Sequence, residues 1–143
     1  MDSITVSRTY DASPDAVREK ITDLEPFMMA AGFDEVSIDG ESIEVTNSVG
    51  IATIELTLEL TDHKEADLAY EQREGIFEAM QTTYTVTETE TGSEVTAATE
   101  FALDVAVVGE LLDATVIKRQ RRRELSAQFD WLEDQLTDSQ VES

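Results

Sequence analysis

The chain has 143 residues, with 32 acidic side chains against 10 basic ones, a formal net charge of −22, one histidine and no cysteine. The missing cysteines exclude disulfides, thiolate catalysis and Cys-based metal sites. The negative field repels phosphate, so nucleic acid is not expected as a partner of the chain as a whole.

Residues 3–10 alternate, with Ile4, Val6, Arg8 and Tyr10 on one face and Thr5, Ser7 and Thr9 on the other. Period two predicts a strand. Ser13 suits a helix N-cap, Pro14 the first helical position and Asp15 the positive end of the dipole. A helix is expected to about Asp23, burying Val17, Ile21 and Leu24. Pro26 is expected to break it, with a second short helix over Phe27–Ala31 stopped by Gly32. Asp39-Gly40 is a hairpin turn signal, pairing residues 33–39 with 42–48. Residues 51–61 alternate again, Ile54, Leu56, Leu58 and Leu60 against Glu55, Thr57, Glu59 and Thr61, which predicts one face on a core and one in water. A strand near 67–74 follows, then a pair, 80–90 and 93–104, around Thr91-Gly92. From about Glu110 to Leu136 the period becomes helical.

A chain that is 41% hydrophobic with this regularity folds rather than staying an acidic disordered coil. One domain is expected over residues 1–136, with a flexible acidic tail at 137–143. Strands in series followed by a helix predict an α+β architecture, with six to seven antiparallel strands curved around a long C-terminal helix and two short helices after the first strand. The start MDSITVSRTY has no basic or apolar region of a secretory signal. The most apolar stretch, 101–112, is broken by Asp104, Gly109 and Glu110, so no membrane insertion is expected. A cytoplasmic protein follows.

Two segments resemble the SRPBCC superfamily of START-like, Bet v 1-like and polyketide-cyclase-like helix-grip proteins. ITVSRTYDASPDAVREKITDLEPF, residues 4–27, looks like the family's opening strand, Pro turn and helix. GELLDATVIKRQRRRELSAQFDWLEDQL, residues 109–136, looks like its closing helix with a basic stretch. One departure is Arg18, where an aromatic often follows the helix-one valine. The resemblance implies a cavity between sheet and long helix. Members bind lipids, sterols, polyketides or plant hormones there, and some are cyclases or dehydratases.

Lys118, Arg119, Arg121, Arg122 and Arg123 are five of the ten bases. On a helical wheel Lys118 falls near the centre of the apolar stripe of Leu111, Ala114, Leu125, Phe129, Leu132 and Leu136. Arg121 and Arg122 fall at its edges, and Arg119 and Arg123 point away. Lys118 and Arg121 are therefore candidates to meet an anionic group on a ligand, against the alternative that they neutralise carboxylates of their own sheet. Tyr70, Tyr84, Gln72 and Asn47 share inward strand faces and are further candidates to line a pocket. Arg8 and Tyr10 are expected to satisfy one another or reach water. His63, in an acidic turn, is expected to be solvated. Val116 and Leu112 lie off the main stripe.

The expected function is non-covalent binding of a hydrophobic or amphipathic small molecule, lipid- or polyketide-like, with no catalytic residue, cofactor or metal assigned. A cyclase- or dehydratase-like enzyme is the rival, favoured by a carboxylic acid beside a tyrosine at mid-depth. A protein-interaction module or homodimer is the third reading, favoured by a cavity filled with side chains. The oligomeric state expected is a monomer or a weak homodimer.

The charge also reads as adaptation to concentrated salt, because self-repulsion opposes the compact state unless screened. The melting temperature should rise between about 0.1 M and about 1 M NaCl, where the screening length falls from roughly 10 Å to roughly 3 Å. A melting temperature flat with salt would contradict that reading.

Overall fold

The computed structural model describes residues 2–49, 51–103 and 114–142. Its elements run β1 (Asp2–Tyr10), α1 (Pro14–Ile21), α2 (Leu24–Met29), β2 (Glu35–Asp39), β3 (Ser42–Val49), β4 (Ala52–Leu60), β5 (Leu68–Glu74), β6 (Phe77–Glu88), β7 (Ser93–Leu103) and α3 (Ala114–Glu142). The seven strands form one antiparallel sheet in the order β1-β7-β6-β5-β4-β3-β2. β1, first in the chain, pairs with β7, the last strand, and forms one edge of the sheet.

The expected alternation holds on β1, where Ile4 and Tyr10 are buried and Ser3, Thr5, Ser7 and Thr9 are exposed. Ser13 caps α1 as its sequence position predicts, its Oγ accepting from the Ala16 N–H at 3.2 Å. Pro26 does not break the helix. It sits in the first turn of α2, where a missing N–H costs no intrahelical bond. The break comes earlier, at Thr22 and Asp23, and α2 ends near Gly32 as expected. Asp39-Gly40 makes the β2–β3 turn, with Gly40 at φ 63°, a conformation that glycine adopts without strain.

α3 lies across the inner face of the sheet. Arg8 and Tyr10 of β1 and Asn47 of β3 all bond to it, although β1 and β3 lie far apart in the strand order. A sheet that touches one helix from both flanks is curved, and this is the helix-grip arrangement. The helix buries Ile117, Leu125, Phe129, Leu132 and Leu136. Its trace runs on to Glu142, through the segment expected as a tail. The expected helix start near Glu110, and Leu111 and Leu112, lie outside the described residues. No described helix is long and apolar enough to cross a membrane.

The lower half of the interior is buried and rich in aromatic contacts. The Phe27 ring stands edge-on to Tyr84 at 5.1 Å and tilted against Trp131 at 6.1 Å. Tyr10 donates to the Phe129 carbonyl at 2.9 Å, tying the end of β1 to the helix. The adjoining β6–β7 turn packs against the chain just after β1. A Cβ on Gly92 would stand 2.2 Å from the Tyr10 carbonyl oxygen and 2.8 Å from the Ala12 nitrogen. Gly92→Ala should therefore lower stability by about 2 kcal/mol, read as a drop in the urea midpoint; an unchanged midpoint would show that this junction yields freely.

Candidate functional site

Sheet register creates the site. Tyr70 pairs with Thr82, and Thr82 with Thr99, so three hydroxyl-bearing residues form one row across β5, β6 and β7. α3 crosses this row and turns Arg121 onto it. Arg121 Nε donates to Thr99 Oγ1 at 3.0 Å, and Nη2 donates to Thr82 Oγ1 at 3.2 Å and to the Tyr70 hydroxyl. Nη2 also stands 3.5 Å from the Tyr84 hydroxyl. Nη1 meets Glu124 Oε1 at 2.9 Å, one helical turn away. Glu124 Oε2 accepts from Asn47 Nδ2 at 2.9 Å and Gln120 Nε2 at 3.2 Å. Arg121 and Glu124 are only 7% and 6% exposed.

A second tier lies below. The Tyr84 hydroxyl donates to Gln128 Oε1 at 2.7 Å, and Gln128 Nε2 donates to the Phe27 carbonyl at 3.0 Å. This chain links β6, α3 and α2 through the core. Burial pushes the Tyr84 phenol well above its ordinary pKa, and the neighbouring Tyr70 adds to this against Arg121. Burial also opposes the charge on Arg121, but Tyr70, Tyr84 and Glu124 more than offset it, so its pKa is raised and it stays a cation.

Above the Arg121 tier is a cavity of about 50 Å³, room for a few waters. Its walls are mainly apolar: Val45, Ile54, Leu56 and Leu58 from β3 and β4, Phe77, Met80 and Phe101 from β6 and β7, with Phe33 and Ile117. Its polar end is Asn47, Tyr70, Thr99, Gln120, Arg121 and Glu124.

Of the residues singled out from sequence, the structure brings together Arg121, Tyr70, Asn47 and Tyr84, the last behind the cavity wall. Lys118 and Gln72 stand apart. Lys118 turns to the β1 edge, pairs with Asp2 at 3.5 Å and leaves 44% of its side chain exposed. The wheel thus inverted the two bases: Arg121 is the buried one. Gln72 clamps the β5–β6 hairpin, accepting from the Phe77 N–H at 3.1 Å and donating to the Phe77 carbonyl at 2.9 Å. Glu124, Gln120, Gln128 and Thr99 are site residues that sequence reading missed. An Arg and a Glu three apart, both flanking Leu125 on the buried stripe, was the available signal. Arg119, Arg122, Arg123 and His63 are exposed. Arg8 pairs with Asp130 at 2.6 Å. Among the described residues no group of three or more His, Asp or Glu is placed to hold a metal ion.

The raised Tyr84 pKa gives a signed expectation. Unfolding returns the phenol to about its ordinary value of 10.0. Below that pH both states keep the proton and stability is unaffected; above it the unfolded state loses a proton that the folded state retains, so stability falls as pH rises. Tyr84→Phe should flatten the fall in urea midpoint between about pH 9.5 and about pH 11, and an equally steep fall in the variant would assign it elsewhere.

No curated protein matches the sequence. Solved structures match over nearly the whole chain. A protein from Thermus thermophilus aligns with TM-score 0.74 and 16% identity, covering 96% of this chain and 99% of that one. The Zhui aromatase/cyclase of a Streptomyces species aligns with TM-score 0.76 and 18% identity, covering 92% and 93%. A START superfamily protein from Mycobacterium smegmatis aligns with TM-score 0.70 and 9% identity, covering 96% and 97%. At these identities the likeness is one of fold. The family model described as polyketide cyclase / dehydrase and lipid transport matches residues 1–137, and the chain therefore belongs to that family within the SRPBCC superfamily.

Proposed function

We propose that the chain binds a hydrophobic or amphipathic small molecule in the cavity between the sheet and α3. The observation that carries this reading is the contrast within one space. Apolar side chains form the walls, and a hydrogen-bonded cluster stands at one end. That is the distribution of a site in which apolar burial supplies affinity and a few polar groups fix orientation. The family description points the same way. A ligand larger than about 50 Å³ must displace side chains. Met80, unbranched and adaptable, is the wall residue best suited to move.

A cyclase- or dehydratase-like reaction is the second reading. It is favoured by Glu124 and Tyr70 standing on either side of Arg121 in the cavity wall. Against it, the Glu124 oxygens are already engaged by Arg121, Asn47 and Gln120. The interaction-module reading called for a filled cavity, and about 50 Å³ is open.

Leu56 is half-buried in the cavity wall. Leu56→Trp should place an indole in that space and weaken binding of 2-naphthol at least about tenfold, while overpacking costs about 1–3 kcal/mol of stability. Calorimetric titration checks the first and thermal melting the second. Unchanged 2-naphthol affinity in a folded Leu56→Trp variant would move the binding site elsewhere.

A further inference from the structure

We propose that the cavity selects a neutral apolar molecule carrying a single oxygen function, an alcohol, phenol or ketone, over the matching carboxylate. The inference rests on the ligand-binding reading above and deepens it. Among the described residues, two charged side chains line the cavity, Arg121 and Glu124, and they are paired with each other at 2.9 Å. The described wall therefore carries no net charge. Lys118, the other base near the inner stripe, is engaged by Asp2 outside the wall.

The commitments of Arg121 lead to the same class. A guanidinium has five N–H groups. Nε serves Thr99, Nη1 serves Glu124, and Nη2 serves Thr82 and Tyr70, with Tyr84 at the longer 3.5 Å. One N–H on Nη1 remains without a partner among the described residues. The Tyr70 hydroxyl and the second amide hydrogens of Asn47 and Gln120 are further wall donors, but none of them carries a charge, so a carboxylate gains a cation only by drawing Arg121 from Glu124. That leaves a carboxylate buried without its cation, which is strongly unfavourable. A cationic ligand would have to compete for Glu124 with Arg121, Asn47 and Gln120. A neutral oxygen accepts a free wall N–H and leaves the ion pair in place, and a hydroxyl can return its own proton to a remaining lone pair on Glu124. Outside the cavity the net charge of −22 works in the same direction, by repelling anions at low salt.

The test is calorimetric titration with matched pairs on three skeletons: cyclohexanol and cyclohexanecarboxylate, 2-naphthol and 2-naphthoate, 1-decanol and decanoate. It is run in about 1 M NaCl, so that long-range repulsion is screened and only the local site discriminates. For each pair that binds, the alcohol should bind the wild-type chain at least about tenfold more tightly. Glu124→Gln, which leaves Arg121 with an uncompensated charge, should raise carboxylate affinity about tenfold and shrink or reverse the preference. Equal or tighter carboxylate binding by the wild type overturns the proposal and leaves the ligand-binding reading standing. Unchanged carboxylate affinity in a folded Glu124→Gln protein also overturns it. If no member of any pair binds, the ligand-binding reading fails and this inference with it. If Glu124→Gln does not fold, the wild-type ratio alone decides.

Discussion

A guanidinium taken out of water must find partners for its donors, and in this chain the search is resolved by three strands and one helix at once. Arg121 joins Thr99 of β7, Thr82 of β6 and Tyr70 of β5 to Glu124 of its own helix. Glu124 carries the connection on to Asn47 of β3. The cluster fixes how α3 sits on the sheet, because any rotation of the helix would strand a buried charge. It also decides what the cavity offers: walls of hydrocarbon and an end whose charges cancel. Architecture and candidate chemistry thus depend on the same ion pair.

Most of the fold was legible because its determinants are local. Strand alternation, Ser13 ahead of Pro14, and Asp39-Gly40 each report on a few neighbouring residues, and each is found where expected. Pro26 misled because position within a helix decides whether proline interrupts it, and α2 starts just early enough to hold it in its first turn. The site was half legible. Inward register set Tyr70, Tyr84 and Asn47 on faces that the structure brings together with Arg121 and Glu124. A helical wheel, however, ranks positions by angle alone and cannot say which strand each angle meets. Lys118 meets the exposed end of β1, where Asp2 and water receive it. Arg121 meets a row of hydroxyls. Gln72 has an inward position but is drawn aside by the sharp β5–β6 turn, whose backbone it satisfies.

Arg18 shows how a departure from a family pattern acquires a structural reason. Its Nε donates to Asp67 at 2.8 Å and its Nη2 to the Val86 carbonyl at 3.2 Å, while Asp67 accepts from the Val86 N–H at 2.6 Å. An ion pair plus backbone bonds here fasten α1 to the lower end of the sheet, the task an aromatic would perform by packing. In a chain where acids far outnumber bases, a scarce cation is placed where it also closes a backbone gap.

The second tier, Tyr84–Gln128–Phe27, sits beneath the Arg121 cluster, and buried aromatic core lies beneath that. The two tiers act as a bulkhead between compartments with different duties. Wall positions such as Leu56, Met80 and Ile117 can drift through evolution to admit new cargo without disturbing the hull below. Their counterparts around Phe27 and Phe129 have no such freedom. Diversification in a scaffold partitioned this way would proceed from the upper chamber, one wall residue at a time.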